Sequence, residues 1–137
     1  MELMPIYLAA DSELFPGTEL VAEAPAQQGA YVVVFEDDGE TGYFYALDTS
    51  CAENPIQDAL HIYNVEQISD RDKASQVKIG WSEDHLKAVL LINDFPHAIF
   101  DFQAKRGYCR TGFPPAVGKG WSEEGHEWTD DALQLFA

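Results

Sequence analysis

Apolar and polar positions alternate with a period of two along much of the chain, which predicts strands rather than helices. Tyr31 to Phe35 and Tyr43 to Leu47 are β-branched and aromatic runs, joined by Glu36-Asp37-Asp38-Gly39-Glu40-Thr41-Gly42. Two such runs around an Asp-Gly loop predict a β-hairpin. Val77, Ile79 and Trp81 alternate with Lys78 and Gly80, the pattern of a half-buried strand. Leu60 to Val65 also reads as a strand. Residues 1–29 carry breakers at Pro5, Pro16-Gly17, Pro25 and Gly29, with one short strand at Glu19 to Ala24. That segment is expected to be irregular, ahead of a β core over 30–136. Asn54-Pro55 has the form of a helix start, an Asn cap with Pro at the first helical position. Thr129 would cap one or two helical turns at the C-terminus. Glu66 to Gln76 is polar and reads as a loop.

Leu86 to Asn93 and His97 to Phe102 predict a second hairpin around Asp94-Phe95-Pro96. Pairing Asn93 with His97 sets Ile92 against Ala98, Leu90 against Phe100 and Ala88 against Phe102, an apolar face expected in the core. A slip of one residue would mix the faces. A further turn at Lys105-Arg106 pairs Gln103 with Tyr108 and Asp101 with Arg110, leaving Cys109 and Thr111 on the core side. The opposite face then carries Asn93, His97, Asp101, Tyr108 and Arg110. The expected fold is a single mainly β domain over 1–137, an antiparallel meander of about seven strands. It forms a sandwich or partly rolled barrel, with short helices near residue 56 and at the C-terminus.

Charge changes the picture more than length does. The chain has 137 residues, a formal charge of -16 and 46% hydrophobic residues. That is enough apolar residue for a packed core, and the length suits one domain. Residues 1–70 hold 14 Asp or Glu and no Lys or Arg; residues 71–137 hold 10 acids and all 8 bases. Phosphate binding needs clustered cations, so nucleic acid is excluded as a partner, and anionic membranes with it. No apolar stretch approaches the length of a membrane span. The N-terminus, Met1-Glu2-Leu3-Met4-Pro5, lacks the basic and apolar regions of a signal peptide. Two cysteines, Cys51 and Cys109, are too few for a disulfide scaffold, so a reducing cytoplasm is the expected compartment.

The motifs that carry chemistry are missing. The hairpin loop is not an EF-hand, which needs alternate ligands and a closing Glu at the twelfth position. There is no phosphate-binding glycine loop and no Gly-x-Ser-x-Gly elbow. His61, His85, His97 and His126 have no zinc spacing with each other or with the cysteines. No catalytic residue, metal or cofactor is therefore expected. Gly80-Trp81-Ser82-Glu83 recurs as Gly120-Trp121-Ser122-Glu123, but two copies do not make a solenoid.

Several segments together carry a resemblance: Gly42-Tyr43-Phe44-Tyr45-Ala46-Leu47-Asp48, Asp58 to Val65, Lys87 to Asn93, His97 to Phe102, and Gly107-Tyr108-Cys109-Arg110-Thr111-Gly112-Phe113-Pro114. Over roughly residues 30–136 the chain resembles a bacterial family catalogued as domain of unknown function 2251. The resemblance implies a small bacterial cytosolic protein and brings no activity with it. Function rests on the residues. A compact acidic protein is expected to bind a basic protein partner, as an immunity protein or antitoxin for a basic toxin, through Glu36, Asp37, Asp38 and Glu40. The competing expectation is a small-ligand binder or enzyme using Asn93, His97, Asp101, Tyr108 and Arg110. Either would be a monomer or small homo-oligomer.

Overall fold

Period-two alternation becomes nine antiparallel strands in two sheets among the described residues of the computed structural model, which are 7–27, 29–51, 53, 55–68, 72–110, 121 and 127–129. In chain order they are β1 (Tyr7–Leu14), β2 (Leu20–Pro25), β3 (Tyr31–Asp37), β4 (Thr41–Asp48), β5 (Ile56–Asn64), β6 (Ser75–Trp81), β7 (Lys87–Ile92), β8 (Phe95–Asp101) and β9 (Arg106–Cys109). Among the described residues the one helical element is a 3-10 turn, Val65–Gln67, and the single residue Trp121 is also in 3-10 conformation. One sheet has the order β1-β6-β7-β8-β9 and the other β2-β3-β4-β5. After β1 the chain therefore leaves one sheet, builds the other as a meander, and returns at β6 to pair with β1. Neither sheet closes on itself.

The two sheets share one core. Phe44 from the four-stranded sheet stacks on Phe100 from the five-stranded sheet, with ring centroids 4.9 Å apart. Tyr31 stacks on Phe102 at 4.4 Å. Trp81, fully buried, donates its indole N–H to the Ala24 carbonyl across the sheets at 3.0 Å. A buried Trp needs such an acceptor, because an unmatched donor would offset part of the gain from burying the ring.

The strand count and the helix near residue 56 need correction. The described residues before residue 30 are not irregular: they supply β1 and β2. Near residue 56 there is no helix, because β5 begins at Ile56, opposite Leu47. The Asp48 amide donates to the Pro55 carbonyl, so cross-strand pairing overrides the local Asn-Pro cap signal. The C-terminal helix expected after Thr129 lies outside the described residues, as does Thr111.

The β7–β8 hairpin keeps its faces and changes its register. Leu90 opposes Ala98, Ala88 opposes Phe100 and Ile92 opposes Phe95, with a bulge after Leu90. The turn is Asn93-Asp94, at φ 53° and 64°. Two residues at positive φ form the mirror-image turn that fits strand twist, and Asn and Asp tolerate it. The slip is by two, which preserves parity, so Ala88, Leu90, Ala98, Phe100 and Phe102 remain in the core. Asp101 pairs with Arg106 rather than Arg110, and Tyr108 with Ile99 rather than Gln103. Arg110 instead donates its backbone N–H to the His97 carbonyl. Cys109 opposes Ala98 and is buried, as its expected core position requires.

Candidate functional site

The β3–β4 hairpin separates its four carboxylates by strand parity. Val33, Phe35 and Asp37 share one parity and point inward; Val32, Val34 and Glu36 point outward. Asp37 is only 1% exposed. Its Oδ1 accepts the Gly39 N–H at 2.8 Å. Its Oδ2 accepts the Gly17 N–H at 2.9 Å and the Tyr63 hydroxyl at 2.6 Å. Asp37 thus ties the β1–β2 loop, the β3–β4 turn and β5 together. Burial, and then the bond to Asp37, push the Tyr63 hydroxyl well above the usual phenol range. The sequence held the signal, since Asp37 continues the inward parity of Val33 and Phe35.

The other three carboxylates face solvent to different degrees. Asp38 and Glu40 are exposed. Asp38 Oδ1 accepts the Glu40 and Thr41 amides at 3.0 and 2.8 Å, and these bonds lower its pKa. Glu36 lies on the outer face of β3, where its Oε1 accepts the Tyr45 hydroxyl at 3.0 Å. A cleft of about 490 Å³ lies beside the hairpin, lined by Gly39, Glu40, Thr41, Asn64, Val65 and Glu66. A second, of about 450 Å³, lies at the other end of β3 and β4, where Tyr31 and Asp48 meet His85.

The β8–β9 candidates divide into turn supports and one close pair. Asn93 Oδ1 accepts the Gln76 amide at 2.9 Å. Asp101, itself buried, accepts the Gln103 and Ala104 amides at 3.0 Å each and so caps the β8–β9 turn. Tyr108 lies beneath the Arg106 guanidinium, 4.9 Å from it. Arg110 donates from Nε to the Pro96 carbonyl at 2.5 Å. Its guanidinium sits 4.4 Å from the Phe95 ring centroid and 4.1 Å from that of Trp128. The pair the structure brings together is therefore His97 and Arg110. Neither cleft above is lined by any of these five residues.

His97 is half-buried, and its Nε2, shut away from solvent, has no hydrogen-bond partner. Burial lowers its pKa, the Arg110 charge lowers it further, and a hydrogen bond to the Ile62 backbone works the other way. The fold therefore favours the neutral ring. Its stabilising contribution is full above the unfolded value of about 6.5 and is lost as pH falls toward the folded value. Equilibrium urea unfolding at about pH 7.5 and about pH 5.5 tests this against His97→Gln, which does not titrate. The wild type should lose more stability than the variant over that interval; equal losses would contradict it.

The outer face of the four-stranded sheet carries no linear motif. Val21, Glu36 and Tyr43 form one cross-strand row, and Glu23, Val34 and Tyr45 the next. The signal for it is that β3 and β4 carry apolar side chains at both parities. Among the described residues no group of three or more His, Cys, Asp or Glu is placed to hold a metal. Among the described residues no helix is long and apolar enough to cross a membrane. Cys51 is exposed and Cys109 buried, with the Cys109 thiol against the His61 carbonyl; neither is in a disulfide.

Two antiparallel sheets on a shared core, one of them without a single Lys or Arg, define the class: an acidic all-strand protein. The chain belongs to the family described as "Uncharacterized protein conserved in bacteria (DUF2251)", whose model matches residues 14–137. The family therefore reaches back through β2 to the end of β1, well before residue 30. The chain is 42% identical over 127 residues to an uncharacterized protein of Haemophilus influenzae (strain ATCC 51907 / DSM 11121 / KW20 / Rd), covering 87% of this chain and 75% of that protein. No solved structure matches it.

Proposed function

We propose that this protein is a non-enzymatic binding module for a basic protein partner, in concrete terms an immunity protein or antitoxin for a basic toxin in the bacterial cytoplasm. The observation that supports the reading is the segregation of charge by sheet. Between Leu20 and Asn64, the span of the four-stranded sheet, there are eight Asp or Glu and no Lys or Arg. Every basic residue follows position 70, and those in described strands, Lys78, Lys87 and Arg106, lie on the five-stranded sheet. Clustered charge of one sign steers a partner of opposite sign and raises its on-rate by about 10–1,000-fold at low salt.

The test is a pull-down from the source bacterium at low and at high salt, followed by binding of the purified captured protein. A basic partner should bind directly, with an association rate that falls steeply as salt rises past the point where the Debye length drops below about 10 Å. A salt-insensitive association, or no basic partner, would overturn the reading. The alternative, a small-ligand or enzymatic role for Asn93, His97, Asp101 and Arg110, draws on the unpartnered His97 Nε2 beside Arg110. It is the weaker reading, because Asn93 and Asp101 bond backbone amides at turns and the Arg110 guanidinium lies against two aromatic rings.

A further inference from the structure

We infer that the outer face of the four-stranded sheet, over β2 to β4, is the docking surface, and that the partner surface it fits is rich in arginine; this rests on the basic-partner reading above. The face is apolar yet turned to water. Val21 is 58% exposed, and the Tyr43 and Tyr45 rings stack on one another at 5.8 Å. Each of its two central rows sets one glutamate among apolar or aromatic neighbours: Glu36 between Val21 and Tyr43, and Glu23 beside Val34, with Tyr45 beyond.

Charge selects what can cover such a face. The salt bridges among the described residues are Lys78–Asp94 and Lys87–Asp84, both on the five-stranded sheet. Glu23 and Glu36 have no ion pair within the described chain, and Glu36 keeps Oε2 without a hydrogen-bond partner there. A second copy packed face to face would place Glu23 and Glu36 against the same carboxylates, with no Lys or Arg on the sheet to relieve them. The partner must bring the cations itself, on a surface that also tolerates valine and tyrosine.

Arginine meets both demands better than lysine. A guanidinium is weakly hydrated, lies flat on an aromatic ring, and offers a planar fork to a carboxylate; an ammonium is compact and strongly hydrated. The Tyr45 hydroxyl fixes one oxygen of Glu36, which orients the carboxylate before a partner arrives. The chain itself uses this chemistry elsewhere: Arg106 lies over Tyr108, and Arg110 over Phe95 and Trp128.

The experiment measures binding of poly-arginine and poly-lysine peptides of equal length to the full chain by titration calorimetry at low and moderate salt. The arginine peptide should bind about five-fold more tightly, as one exposed cation–π contact provides. Tyr43→Ala should remove that preference, while Glu40→Gln at the hairpin tip leaves it. If Tyr43→Ala does not fold, Glu36→Gln serves, with the same loss expected. Equal binding of the two peptides, or a preference that survives Tyr43→Ala or Glu36→Gln, overturns the sheet-face inference and leaves the basic-partner reading standing. Binding of neither peptide overturns the inference, and a captured basic protein in the pull-down would still uphold the broader reading.

Discussion

Asp37→Ala is expected to destabilise the protein by about 3–5 kcal/mol, a large share of a small domain's stability. The carboxylate accepts three hydrogen bonds, from Gly39, Gly17 and the Tyr63 hydroxyl. Alanine leaves three donors without an acceptor at a nearly closed site, and each such donor costs about 1–3 kcal/mol. One effect runs the other way. Removing a carboxylate next to Asp38 relieves some repulsion in a chain of net charge -16. Repulsion between charges that water screens amounts to about 1 kcal/mol or less, so the lost bonds win. Asp37→Asn keeps the shape and one acceptor, but turns an amide N–H₂ toward groups that are themselves donors, and should cost about half as much. Urea midpoints measure all three proteins. The result separates two roles for the same residue. A carboxylate that met a partner would give Asp37→Ala normal stability and slow association. An unchanged midpoint would remove Asp37 from the scaffold and return it to the docking surface.

Parity explains most of what the sequence discloses here. Hairpin β3–β4 is legible because Asp38-Gly39 interrupts two alternating runs, and the same alternation, carried to its last residue, already sorts Asp37 from Glu36. The faces of β7 and β8 are legible although their pairing is not, since a two-residue slip leaves every side chain on its own side. The turn that sets the true register is Asn93-Asp94, two residues without the glycine that usually marks such a turn. β1 is hidden for a different reason. Its inward positions are Ala10, Ser12 and Leu14, facing Ile79, Val77 and Ser75 on β6. Small and polar residues give no periodic signal, and the strand exists because a partner more than sixty positions away offers it an edge. The outer-face rows leave no linear motif because they are assembled across strands, one residue from each.

The same tie at the base of the hairpin makes Gly42→Ala an informative substitution, with an expected loss of about 2–4 kcal/mol. On strand propensity alone the sign would be opposite, because replacing glycine by alanine within a strand stabilises it by about 0.5–1 kcal/mol. Sterics decide otherwise. A Cβ built on Gly42 would lie 2.6 Å from two carbons of the Tyr63 ring and 2.9 Å from a third. The ring packs flat on the glycine because the β4–β5 register shifts after Gly42, which brings Tyr63 opposite it. It cannot swing aside cheaply: its hydroxyl is held by Asp37, and Phe35 lies against it at 6.2 Å. Moving it forfeits that bond and the cover it gives the end of the core. The cause can be isolated with a double-mutant cycle. In a Tyr63→Ala background the obstruction is gone, so adding Gly42→Ala should cost nothing or stabilise slightly. The coupling between the two sites should then equal the whole single-mutant loss, about 2–4 kcal/mol, at the upper end for residues in contact. Additive losses in the cycle would show that Gly42 is required by the β4 backbone itself and not by the tyrosine ring laid across it.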